Sequence, residues 1–165
     1  MIRDAPAGRP VVVAFGANLG DRRATVLAAV RELAEADGVE LTAVSDVIET
    51  VALRPAGEDP DAPAYLNGVL LARTTLSSDE LLALLHRVED AHGRVRAERW
   101  GDRTLDLDLI DDDGRVRDDP VLTLPHPRAA ERVFVLRPWL QLDPDAVLPG
   151  RGRVAELLAV LEAGR

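Results

Sequence analysis

In the stretch Thr104-Leu-Asp-Leu-Asp-Leu-Ile110, polar and apolar residues alternate from Thr104 to Leu109. A period of two is the signature of a β-strand with one buried and one open face. Leu105, Leu107 and Leu109 then share one face. Asp106 and Asp108 share the other, roughly 6–7 Å apart. Asp is among the poorest strand formers, and two like charges at that spacing repel by about 2–3 kcal/mol at an effective dielectric of 20. Such a strand needs a core beneath its leucines and a compensating cation above its aspartates.

The sequence upstream supplies that core. Residues 10–16, PVVVAFG, read as a short buried strand, and 22–36 as an amphipathic helix with Val26, Ala29, Val30 and Leu33 on one side and Asp37-Gly38 as its stop. Residues 39–50 alternate as a second strand and 65–75 read as a third. Between them, 51–64 carry prolines, glycine and acids and are expected to form a long loop. Residues 77–93 have a serine cap, acids in the first turn, a stripe of Leu81, Leu84, Leu85 and Val88, and Gly93 as a stop. The order is βαββαβ. With right-handed crossovers it predicts an α+β, ferredoxin-like antiparallel four-stranded sheet with both helices packed on one face. A C-terminal extension follows, with a turn at DDDG, an extended piece near 120–125 and a last helix near 153–163. No repeat or linker interrupts residues 1–165, so one domain is expected.

Composition removes several classes of function. The basic residues are all Arg, so a Walker-type or Schiff-base lysine is impossible. There is no Cys, which excludes disulfides and thiol nucleophiles. A net charge of −9 argues against nucleic-acid binding. With no long apolar run and no signal-peptide pattern at the N-terminus, no membrane partner is expected and a cytoplasmic location follows.

Against that acidic background, residues 94–103, RVRAERWGDR, hold Arg94, Arg96, Arg99 and Arg103. Carboxylates on a rigid strand suit Mg²⁺, which takes one or two of them plus substrate phosphates. Beside a cationic loop they form the apparatus of phosphoryl transfer. The plainer alternatives are a solvated sheet face and salt bridges from the loop to Glu89, Asp90 and Glu98. His126, held between prolines near Arg128 and Arg132, reads as a phosphate contact. His86 and His92 lie on the second helix, and His86, with no partner at metal-ligand spacing, reads as a surface or supporting residue. Tyr65 and Trp100 could stack on a flat heterocycle, core packing being the alternative for each. GANLGD, residues 16–21, opens a helix and could hold an anion there, although it is no P-loop.

Taken together, FGANLGDR, YLNGVLLARTTLSSDELLALLHRVEDAHGRVR, RWGDRTLDLDLI and LPHPRAAERVFVLRPW resemble the 6-hydroxymethyl-7,8-dihydropterin pyrophosphokinases of folate biosynthesis, most strongly over 11–150. The resemblance implies a monomer that moves the pyrophosphoryl group of ATP, its co-substrate, onto the pterin hydroxymethyl group with two Mg²⁺ ions. It implies Asp106 and Asp108 as metal ligands and, with Arg94 and Arg103, as catalytic residues. It places Glu89, Arg94, Arg96, Trp100, Arg103, Leu109, Thr123, His126 and Arg132 on the nucleotide side. Thr50, Leu53, Tyr65, Asn67, Trp100 and Phe134 fall on the pterin side. The chain departs from the family pattern at Ala17, Val51 and Pro127. A non-catalytic ligand-binding module of the same fold, or a kinase moving one phosphoryl group, are the alternative functions.

Overall fold

Residues Arg9–Ala17 form β1, which is buried on both faces from Val11 to its end. Its uninterrupted apolar run follows from this central place, since a strand covered on both sides has no polar face to alternate with. The computed structural model describes residues 8–18, 20–50, 52–54, 57–59, 64–92 and 104–164. After β1 come α1 (Arg22–Glu35), β2 (Val39–Val44), β3 (Ile48–Thr50), β4 (Ala52–Arg54), β5 (Gly57–Asp59), β6 (Tyr65–Thr74) and α2 (Ser78–Ala91). They are followed by β7 (Asp106–Asp112), β8 (Arg117–Asp118), β9 (Thr123–Leu124), a 3-10 turn (Ala129–Glu131), α3 (Val133–Leu142), β10 (Val147–Leu148), β11 (Gly152–Arg153) and α4 (Val154–Ala163).

The main sheet runs β2-β6-β1-β7, with β3 also paired to β6, and its pairs are antiparallel. On one face, Val11, Val13, Phe15, Leu70, Leu107 and Leu109 pack against Val26, Ala29 and Leu33 of α1 and Leu81, Leu84, Leu85 and Val88 of α2. Each such side chain contributes about 1.5–3 kcal/mol by leaving water. α2 begins where expected. Ser77 Oγ accepts from the Glu80 amide at 3.1 Å, and the Glu80 carboxylate accepts from the Ser77 amide at 3.4 Å. This reciprocal cap is worth about 1 kcal/mol.

The C-terminal extension does more than extend. Val135, Leu136 and Trp139 of α3 and Val154 and Leu158 of α4 cover Val12, Ala14, Val69 and Ile110 on the second face of the sheet. α3 was not foreseen from the sequence. It has no side-chain cap at Arg132 and carries Pro138 in its interior, both of which erase the usual helix signals.

Three further expectations are corrected. The strand expected over 39–50 is divided at 45–47. There the hydroxyl of Ser45 replaces a main-chain acceptor, taking the Val69 amide at 2.9 Å, while the Ser45 amide donates to Val69 O at 2.9 Å. The sheet therefore has five strands instead of four. The stretch 51–64 contains a small hairpin, β4 with β5. The strand expected over 104–110 continues to Asp112, because a bulge leaves Ile110 without a partner between the Val13–Leu109 and Val12–Asp111 pairs. The extra residue shifts the alternation. Ile110 enters the second core, and Asp112 turns to the helical face.

Candidate active site

The register of the sheet places Asn67, expected on the pterin side, and Asp106, expected to hold metal, in one row. Ile48 pairs with Asn67, Asn67 with Gly16, and Gly16 with Asp106. The next row on that face runs Val69, Ala14, Asp108. Gly16 is required in the first row, since a Cβ there would lie 2.8 Å from Asn67 Oδ1. Asn67 is buried, and its Nδ2 donates to Thr50 Oγ1. Thr50 in turn pairs with Tyr65 across β3 and β6. Three of the expected pterin-side residues therefore sit together.

Arg22, which the sequence reading did not single out, secures this corner. Its Nη1 donates to Ala64 O at 2.6 Å, and its Nη2 lies 3.3 Å from Glu49. It thereby holds the residues that flank Tyr65 and Thr50. Leu53 lies on β4, but its side chain is outside the described residues, as are Arg94, Arg96, Arg99, Trp100 and Arg103 in full.

Asp108 is about half exposed, and Arg132 Nη1 stands 3.6 Å from its carboxylate. The same guanidinium lies 5.6 Å from the centre of the Phe134 ring, within cation–π range. The first turn of α3 thus brings both Arg132 and Phe134 over the acidic end of β7. Asp106 is partly buried next to Gly16.

Beyond β7, which is an edge of the sheet, a cleft of about 290 Å³ opens between α2 and the 121–127 segment. Asp108, Leu109, Thr123, His126 and Glu89 line it, so most of the described residues expected on the nucleotide side converge there. His86 lines it as well.

Glu89 carries a second task that its sequence position does not reveal. It is buried, and its Oε2 accepts the Leu107 amide at 3.0 Å. Among edge strands an outward main-chain amide is a liability. Here the carboxylate closes it and fixes β7 between the two aspartates. By alternation the amide and carbonyl of Leu109 face the same open edge.

His126 is anchored by its amide to Ile110 O at 2.9 Å, and its Nδ1 accepts from the Arg128 amide at 3.2 Å. With Nδ1 engaged as an acceptor, the ring proton belongs on Nε2. Burial pushes the pKa of His126 down. Asp108 opposes this, while Arg132 and Arg128 add to it, and the net result is a lowered value. At neutral pH the ring is therefore an uncharged Nε2–H donor.

The start of α1 is not arranged for an anion. The Asp21 carboxylate accepts from the Ala24 amide at 3.1 Å, so a negative charge already occupies the helix N-terminus.

Among the described residues no group of three or more His, Cys, Asp and Glu gathers as a metal site. The donor set expected from the sequence is the Asp106–Asp108 pair. Two hard carboxylates with few other protein ligands match a cation that keeps waters and phosphate oxygens in its shell.

Comparison with known proteins gives the family. Residues 12–144 match the model of the 7,8-dihydro-6-hydroxymethylpterin-pyrophosphokinase family. The chain is 40% identical over 149 residues to the 2-amino-4-hydroxy-6-hydroxymethyldihydropteridine pyrophosphokinase of Pseudomonas aeruginosa, covering 90% of each. It is 39% identical over 142 residues to the protein of that name from Synechocystis, covering 86% of this chain and 70% of the other. Its fold resembles the HPPK-DHPS of Plasmodium falciparum solved with pterin and p-hydroxybenzoate, with a TM-score of 0.72 at 12% identity. That alignment covers 95% of this chain and 44% of the larger one, and at such identity it speaks for the fold alone. From its sequence and these relatives, the chain belongs to the 7,8-dihydro-6-hydroxymethylpterin-pyrophosphokinase family.

Proposed function

We propose that the chain transfers the β,γ-pyrophosphoryl group of ATP to the hydroxymethyl oxygen of 6-hydroxymethyl-7,8-dihydropterin, releasing AMP. One observation carries the reading. Asp106 shares a sheet row with Asn67, next to the Thr50–Tyr65 pair, while Asp108, two residues on, lines the cleft with Thr123 and His126. A pterin on one side and a nucleotide on the other would meet at the aspartates. The strand order, with α1 and α2 on one face, supports the ferredoxin-like description of the scaffold.

In this reading Asp106 and Asp108 hold Mg²⁺, two ions in all, brought in with ATP. When bound, the metal neutralises phosphate charge and lowers the pKa of the attacking hydroxyl. The remaining tasks fall to the chain. Asn67, Thr50 and Tyr65 orient the pterin, with Phe134 as the second ring against it. His126 donates Nε2–H to a phosphate oxygen, and Arg132 offsets charge on the same side. The Leu109 main chain at the open edge and Thr123 meet the base. Arg94, Arg96, Trp100 and Arg103 are proposed to contact the phosphates. In the transfer the hydroxymethyl oxygen bonds to the β-phosphorus, the bond from that phosphorus to the α–β bridging oxygen breaks, and AMP leaves. The hydroxyl proton passes to solvent.

Monomeric state and cytoplasmic location complete the proposal. The test is product identity. ATP converted to AMP only when the pterin is present supports it. ADP formation indicates a one-phosphoryl kinase, and no turnover with retained ligand binding indicates a non-catalytic module.

A further inference from the structure

Asn18 is 2% exposed. Neither its Nδ2 nor its Oδ1 has a hydrogen-bond partner among the described residues. Buried side-chain amides are almost always paired, so an unpaired one calls for a specific cause. Asn18 directly follows β1, whose last residue Ala17 pairs with Leu66. Carrying the register one residue further sets Asn18 beside Tyr65. Carrying the strand alternation one residue further sets it on the Gly16 side, the face that holds Asn67 and Asp106.

The local charge narrows what it can meet. Asp21 caps α1 three residues later with its own carboxylate, which disfavours an anion at this corner. A neutral group with both donors and acceptors fits a carboxamide. One Nδ2 hydrogen of Asn67 is given to Thr50, which leaves that residue one N–H and its Oδ1 for a ligand, so a second carboxamide would add to its contacts. We propose that Asn18 is a further pterin-recognising residue, whose buried, unpaired carboxamide hydrogen-bonds the polar edge of the bound pterin ring. This rests on the pterin reading of the pocket.

The experiment replaces Asn18 by the near-isosteric Leu and titrates the pterin into protein saturated with Mg²⁺ and a non-hydrolysable ATP analogue. The pterin Kd should rise about tenfold or more. The Kd of the analogue alone should stay within about twofold. The Tm of the free protein should hold or rise, since an unpaired buried amide is removed. A pterin Kd within about twofold of wild type overturns the proposal, as does a fall in Tm with weakened analogue binding, which would mark Asn18 as structural. A second measurement does not depend on the variant folding. In the wild-type chain the Asn18 side-chain NH₂ resonances should shift on adding pterin, and unmoved resonances overturn the proposal. If the wild-type chain takes up no pterin at all, the reading of the pocket fails first and Asn18 with it. Normal wild-type uptake with unchanged uptake by Asn18→Leu sinks the Asn18 proposal alone.

Discussion

Asp108 and Asp112 lie on the same strand, on opposite sides of the bulge at Ile110. Asp112 is fully buried and saturated with donors: Arg9 reaches it through Nε at 2.5 Å and Nη2 at 3.0 Å, and Ser78 Oγ at 2.6 Å. Asp108 is about half exposed and, among the described residues, has a single long ion pair, 3.6 Å to Arg132. The first carboxylate is committed to the fold, joining the start of β1, the end of β7 and the start of α2. The second keeps coordination capacity for something else. The bulge makes this division possible by sending one aspartate to each face.

Breaking the structural end should have the largest effect. Removing one partner of a buried pair strands the other charge. Asp112→Ala should therefore lose about 3–5 kcal/mol of unfolding free energy, read by urea denaturation, while specific activity of the folded fraction is kept. The pH dependence has the same origin. Burial alone would raise the pKa of Asp112, but hydrogen bonds from Arg9 and Ser78 and the charges of Arg9 and Arg115 outweigh it, and the net value is lowered. The contribution is thus present above the ordinary carboxylate range and lost as pH falls through the lowered value.

Breaking the chemical end should show the reverse pattern. Asp108→Asn should lower kcat by about 10²–10³, or about 3–4 kcal/mol of transition-state stabilisation, with Tm unchanged or raised. A variant that loses stability but turns over normally would place Asp108 with Asp112 and end the contrast.

The sequence made one end of β7 legible and hid the other. Leu105 to Leu109 keep strict alternation, so the faces of Asp106 and Asp108 followed from period alone. The bulge has no residue signature, and Asp111 to Gly114 therefore read as a turn. The same limit applies to Glu89. A side chain that serves a main-chain amide across the fold leaves no spacing pattern, and only the resemblance placed it near the nucleotide. α1 and α2 were readable because caps and apolar stripes are local. α3 was not, because Pro138 and its uncapped start contradict the local rules while burial of Val135, Leu136 and Trp139 overrides them. The pocket row Asn67–Gly16–Asp106 depends on pairing between distant strands, which no single stretch encodes.

Glu89 tests how rigidly the two ends are joined. Glu89→Ala leaves the Leu107 amide without its acceptor and should lose about 1–3 kcal/mol of stability. Glu89→Gln keeps an acceptor oxygen and should lose less. If both variants are equally unstable, the charge matters more than the amide contact. If kcat falls with Glu89→Gln at full stability, Glu89 acts on the nucleotide directly.

The smallest expected effect comes from His126, which feels the charges of Asp108, Arg132 and Arg128. Its pKa is lowered in the folded chain, first by burial. As pH falls below the ordinary histidine value of about 6.5, the unfolded chain binds a proton that the folded chain does not. Stability therefore falls over that window and levels off once the folded ring is protonated. His126→Gln removes this dependence and leaves the carboxylates untouched, so their titration cancels when the two proteins are compared. The difference in unfolding free energy, wild type minus His126→Gln, should move against the wild type as pH is lowered from neutral. A difference that stays flat would show the ring solvated in both states. The neutral Nε2–H donor assigned to the phosphate side would then lose its physical basis.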